Sequence, residues 1–131
     1  MAVPLLKADD APQAEPPLLG LVRMSALDCR AAARAEATAC AAIDPAARPD
    51  VLATQLVKML PQFLKRRPVL WRPGTRGMSF DEAWLLALDR AVRRGDRDSE
   101  RFLLSSRIDA ASLHSARTLV RGLIRRTQTT I

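Results

Sequence analysis

The sequence predicts an all-α protein, a small bundle of about five helices behind a disordered, proline-rich N-terminal arm. Three observations carry this expectation. Leu and Ala dominate the apolar residues while β-branched residues are sparse, and both Leu and Ala favour helix. Several segments repeat apolar residues at spacings of three and four. Ser, Asp, Gly and Pro stand where such segments would start and stop. The aromatics are few: Phe63, Phe80, Phe102, Trp71 and Trp84, with no Tyr. Leu and Ala must therefore fill most of the core.

Residues 1–18 hold Pro4, Pro12, Pro16 and Pro17 with Asp9, Asp10 and Glu15. Dense proline and low hydrophobicity predict a disordered or extended arm there. A single helical domain is expected over 19–131, in keeping with the chain length. Its first helix is predicted at about 26–43, with Ser25 as N-cap and Asp28 favourably placed on the helix dipole. This helix is nearly all Ala, and Asp44-Pro45 stops it.

The second helix follows Asp50 as cap. Leu52, Leu56, Met59, Leu60, Phe63 and Leu64 mark its buried face. Pro61 removes a hydrogen bond within this pattern, so a kink or break is expected near 57–61. Lys65, Arg66 and Arg67 cluster at its end, where cations suit the dipole. Residues 68–78 form a linker between a neutral helical hairpin and a basic three-helix half. Within it Pro73-Gly74 fits the centre of a type II turn.

Ser79 and Glu82 form a capping box that opens the third helix. Phe80, Trp84, Ala87, Leu88 and Ala91 would line its apolar stripe, and Gly95 ends it. Asp98 is expected to cap a short fourth helix at about 99–107, carrying Phe102, Leu103 and Leu104. Asp109 is expected to cap the fifth, at about 110–126. Leu113, Ala116, Val120, Leu123 and Ile124 form its core face.

Charge is unevenly spread. Residues 1–57 carry five basic and seven acidic side chains, and residues 58–131 carry sixteen and seven. The formal net charge is +7. A basic half points to an acidic protein partner or to nucleic acid. Nearly all the cations are Arg, and Ala is abundant, which is the usage expected of a GC-rich bacterial genome. Some of the Arg content then reflects codon bias rather than a site.

Several function classes lack support. His114 is the single histidine, and Cys29 and Cys40 are not spaced as a zinc pair, so no metal is expected. The two cysteines, eleven residues apart on one helix, would stand roughly 16 Å apart. A disulfide needs Cα atoms within about 7 Å, so small buried residues are the expectation. The run from Gly74 to Ser79 is glycine-rich before a helix but lacks the Lys and spacing of a phosphate loop. No cofactor is expected, no acid–base pair stands out, and the chain does not read as an enzyme. There is no signal-peptide pattern and no apolar run long enough for a membrane, so cytoplasm is the expected location.

The main candidate site is on the fifth helix. His114, Arg117, Arg121 and Arg125 recur at spacings of three and four, with Arg126 alongside. No acidic residue follows Asp109, so the stripe has no partner on its own helix. Such a ladder suits an acidic groove or a phosphate backbone. Trp71 and Arg72 in the linker are a second candidate, as a hot-spot-like anchor. The sequence therefore predicts a non-enzymatic adaptor or regulator that binds an acidic protein partner through the basic half. The alternative is a nucleic-acid-binding regulator with a degenerate helix-turn-helix at about 99–126. In that motif Arg107 replaces the usual turn glycine and Leu103 the usual small residue, and the exposed positions include Ala110, Ala111, Ser112, Ser115 and Arg117. Self-association through the same helix is also open.

Overall fold

The computed structural model describes residues 15–31 and 48–128. They form five helices, α1 Pro17–Ala31, α2 Pro49–Leu64, α3 Phe80–Arg94, α4 Arg97–Ser105 and α5 Ala110–Gln128. There is no strand among the described residues. The all-α bundle expected from the sequence is observed.

The start of α1 corrects the sequence reading. Helix begins at Pro17, not near residue 26. The Gly20 amide donates to the Pro16 carbonyl at 2.9 Å, closing the first turn. Proline suits the first helical position because its missing N–H would have no intrahelical acceptor there. Residues 15–18 are therefore not part of an arm. Leu18 and Leu19 are core residues. Ser25, expected as a cap, is buried in mid-helix. The rest of the predicted arm, up to residue 14, lies outside the described residues. So do residues 32–47, with Cys40 and the predicted stop at Asp44-Pro45.

In α2 the N-cap is Arg48, followed by Pro49 as first helical residue, and Asp50 lies inside the first turn. Proline again defines the start, two residues ahead of the expected cap. Leu52, Leu56, Leu60, Phe63 and Leu64 are buried as the periodicity requires. The helix runs through Pro61 without the expected break. Pro61 lies on the exposed face, where water can take up the backbone carbonyl that proline leaves unpaired. Lys65 closes α2 in the left-handed conformation, with φ 62°.

Between α2 and α3 the Arg72 carbonyl accepts from the Thr75 amide at 3.1 Å. Gly74 has φ 84°, as the third position of a type II turn demands. The capping box of α3 is present in full. At its end Asp96 N donates to Ala91 O and Gly95 N to Val92 O, a Schellman closure around Gly95 at φ 72°. The chain then turns directly into α4. The cap of α4 is Asp96 rather than Asp98, its Oδ1 accepting from Ser99 N at 3.1 Å. Asp109 Oδ1 accepts from Ser112 N at 3.1 Å, so the predicted cap of α5 stands.

One cluster of buried apolar side chains joins all five helices. α1 packs chiefly on α2, α2 on α5, and α3 on α4. The deepest layer is Leu52, Leu88, Leu104, Ala116, Leu119, Leu123 and Ile124, each fully buried. Two expected core residues are on the outside: Phe80 is 74 % exposed and Phe102 is 70 % exposed. The inward positions at the start of α3 belong instead to Asp81 and Glu82. In α4 only Glu100 and Leu104 are buried.

Gly95→Ala places a Cβ on a left-handed residue and should cost about 1 kcal/mol. Asp96→Ala, which removes the α4 cap, should cost a similar ~1 kcal/mol. Urea unfolding followed by circular dichroism measures both, and α-helix content at low denaturant should not change.

Candidate functional site

Arg23 of α1, which no sequence pattern singles out, is the most heavily bonded side chain among the described residues. It is 1 % exposed, and Glu82 of α3 is fully buried beside it. Arg23 Nε donates to Glu82 Oε2 at 3.0 Å and Nη2 to Oε1 at 2.9 Å. Nη1 donates to Glu15 Oε2 at 2.6 Å and to the Thr75 carbonyl at 2.9 Å. Nη2 also reaches the Gly77 carbonyl at 2.9 Å. Every N–H of the guanidinium thus has an acceptor. Glu82 accepts, besides Arg23, the Trp71 amide at 2.7 Å and the Ser79 amide at 2.9 Å.

This arrangement is structural chemistry. Burial works to raise the Glu82 carboxyl, but the hydrogen bonds from Arg23 and from the Ser79 and Trp71 amides outweigh it. The group is held below its ordinary range. No oxygen of Glu82 is left to meet a substrate. Glu15 closes the outer side, its Oε2 accepting also from the Gly74 amide at 3.0 Å. The linker at 68–78 is therefore strapped to α1 and α3. Trp71 lies half-buried, and a Cβ placed at Gly77 would stand 3.5 Å from its ring. Arg72 is exposed.

A second carboxylate at the α3 start, Asp81, holds two guanidiniums. Arg66 Nη2 and Arg107 Nη2 donate to its Oδ1 at 2.7 and 2.5 Å, and the Val69 amide to its Oδ2 at 2.7 Å. Arg107 lies over two rings, its Cζ 5.0 Å from the Phe80 centroid and 4.9 Å from that of Trp84. Phe80, Ala83, Trp84, Leu103, Ser106 and Arg107 line a mainly apolar pocket of about 490 Å³. The Trp84 indole N–H donates to the Leu103 carbonyl at 2.9 Å, fixing the ring in place.

The predicted stripe on α5 is brought together. His114, Arg117, Arg121, Arg125 and Arg126 line one shallow groove of about 410 Å³, with Thr118 and Gly122. The stripe is not, however, without a partner. Arg121 forms a two-pronged pair with Glu100 of α4, Nε to Oε2 at 2.7 Å and Nη2 to Oε1 at 2.9 Å. The bonds to Glu100 raise the Arg121 guanidinium further above its usual value. Arg126 donates to the Gly122 carbonyl at 3.1 Å. His114 is exposed and Arg117 half-exposed, and no carboxylate among the described residues pairs with Arg117. Trp71 and Arg72 do not line this groove.

Among the described residues no group of three His, Cys, Asp or Glu side chains could hold a metal. No helix among them is long and apolar enough to cross a membrane. Cys29 is half-buried and carries a free thiol. No family model, curated protein or solved structure matches the chain.

Arg23→Met leaves the Glu82 charge buried and unpaired and should cost about 3–5 kcal/mol. Combining it with Glu82→Leu should recover part of that loss, because no buried charge is then stranded. Both values come from urea midpoints. The pH dependence has a fixed sign. Glu82 and Asp81 both titrate lower in the folded state than unfolded. Their stabilisation is complete above the unfolded carboxylate range, about pH 4. It is lost as pH falls through the folded values. Urea midpoints should therefore decline below about pH 5, and less steeply in the Arg23→Met/Glu82→Leu protein.

Proposed function

We propose that this chain is a non-enzymatic helical adaptor that binds an acidic protein partner through the basic groove of α5. The observation that carries this reading is the convergence of five basic side chains on one shallow groove. His114 is exposed and Arg117 half-exposed, with no acidic residue on their own helix. Glu100 holds Arg121 in place from α4, so the centre of the groove is preorganised. A preset array of guanidiniums suits carboxylates, which it can meet in pairs. Trp71 and Arg72, on the strapped linker, are a second contact region in this reading. The setting we propose is the bacterial cytoplasm, and the role a regulatory one.

The nucleic-acid alternative has one feature in its favour, the short turn between α4 and α5. The N-terminus of α5 speaks against it. There the Asp109 carboxylate caps the helix and pairs with Lys65 at 2.9 Å, where a phosphate would have to approach. Most of the residues that would read bases are also short: Ala110, Ala111, Ser112 and Ser115 offer little reach into a groove, which leaves Arg117.

A fluorescein-labelled Glu-rich peptide and an unrelated DNA duplex test the proposal by fluorescence anisotropy. His114→Glu with Arg117→Glu should weaken peptide binding about tenfold. Reversing two cations away from the groove, Arg76→Glu with Arg90→Glu, should have a clearly smaller effect. Equal losses in the two double variants would reduce the groove to bulk charge and end the proposal. Tighter binding to DNA, with a log–log salt slope of several, would hand the assignment to the nucleic-acid reading.

A further inference from the structure

We infer that the pocket between α3 and α4 docks an apolar side chain of a partner protein, with a carboxylate close beside it. This pocket shares no lining residue with the α5 groove, so it is a second site and not an extension of the first.

Large aromatic side chains in so small a protein belong in the core, and aromatics are scarce here. Yet Phe80 and Phe102 are both turned outward. Phe80 forms one wall of the pocket. Phe102 lies one helical turn before Ser106, which also lines the pocket. Trp84 lies among the lining residues, its indole bonded to Leu103 and one face of its ring covered by Arg107. The ring of Phe80 is held by Arg107 stacked against it, so the wall is formed before anything binds.

Arg66 and Arg107 both donate to Asp81 Oδ1, and Arg66 Nη1 also reaches Oδ2 at 3.4 Å. Asp81 Oδ2 is occupied by the Val69 amide. Two guanidiniums thus share one carboxylate at the pocket's edge, and one positive charge is left over. Arg107 Nη1, moreover, has no hydrogen-bond acceptor. Arg66 is about half exposed and open to a second anion. An apolar pocket with an excess guanidinium at its rim fits a Phe or Leu side chain that carries Asp or Glu nearby. The combination of buried aromatic anchor and Arg is common at the centre of protein interfaces.

A small probe with both features is 3-phenylpropanoate, and 3-phenylpropan-1-ol is its uncharged control. The two tryptophans give separate indole N–H signals by NMR in the full-length protein. The acid should move the Trp84 signal and not that of Trp71, saturating with a Kd of about 1 mM, the range of so small a ligand. The alcohol should bind several-fold more weakly. Ala83→Tyr, at an exposed lining position, should fill the pocket and abolish the shift. Phe80→Ala should weaken it about fivefold. His114→Glu with Arg117→Glu should leave it unchanged, which separates this site from the α5 groove. An unmoved Trp84 signal, a shift that survives Ala83→Tyr, or equal binding of acid and alcohol would overturn the inference. Concentration-dependent self-association that Ala83→Tyr removes would overturn it too, by making a second copy the occupant.

Discussion

The buried pair of Arg23 and Glu82 is the interaction on which the rest of this structure depends. It joins the first helix to the third across the bundle. It also replaces water for an entire connecting segment, because Trp71, Thr75, Gly77 and Ser79 all place backbone groups on one of the two side chains. A buried ion pair of this kind is tolerated only when its hydrogen-bonding capacity is filled. Here it is filled by the backbone of a loop, so the loop and the pair require each other. The capping box at Ser79 is part of the same unit, since Glu82 serves both the helix start and Arg23.

A second consequence follows for the surface. With Asp81 and Glu82 turned inward at the head of α3, Phe80 is left outside. Asp81 then draws Arg66 from the end of α2 and Arg107 from the turn after α4. Those two guanidiniums carry positive charge to the rim of an aromatic pocket. The polar interior thus decides what the exterior offers. Glu100 of α4 draws in Arg121 and steadies the basic groove of α5. Carboxylates of α3 and α4 orient arginines on both surfaces, which leaves the basic half ordered rather than merely charged.

Several features were legible in the sequence because they depend on near neighbours alone. The periodicity of Leu52 to Leu64 places a buried face on α2 with no knowledge of what covers it. The Ser79–Glu82 box, the Gly95 stop and the Asp109 cap are likewise written within four residues. The helical spacing of His114, Arg117, Arg121 and Arg125 is enough to put them in one groove. Errors arose where two local signals competed. Pro16-Pro17 read as arm and Asp50 as a cap, whereas proline at a first helical position is favourable, so both helices begin earlier than expected. Asp96 won the α4 cap over Asp98 because the Gly95 turn delivers the chain into helix at once.

By itself, the sequence determined the helical class, the core faces of α2 and α5 and the basic stripe, since each follows from composition and from spacing within one element. Only the tertiary structure decided which charges are partners. Arg23 and Glu82 are 59 residues apart, and Glu100 and Arg121 are 21 apart. Nothing in one stretch of chain says that such residues meet. The same long-range pairing turned Phe80 outward and stood Arg107 over it, because a carboxylate with several donors outcompetes a phenyl ring for an inward position only once those donors have been assembled.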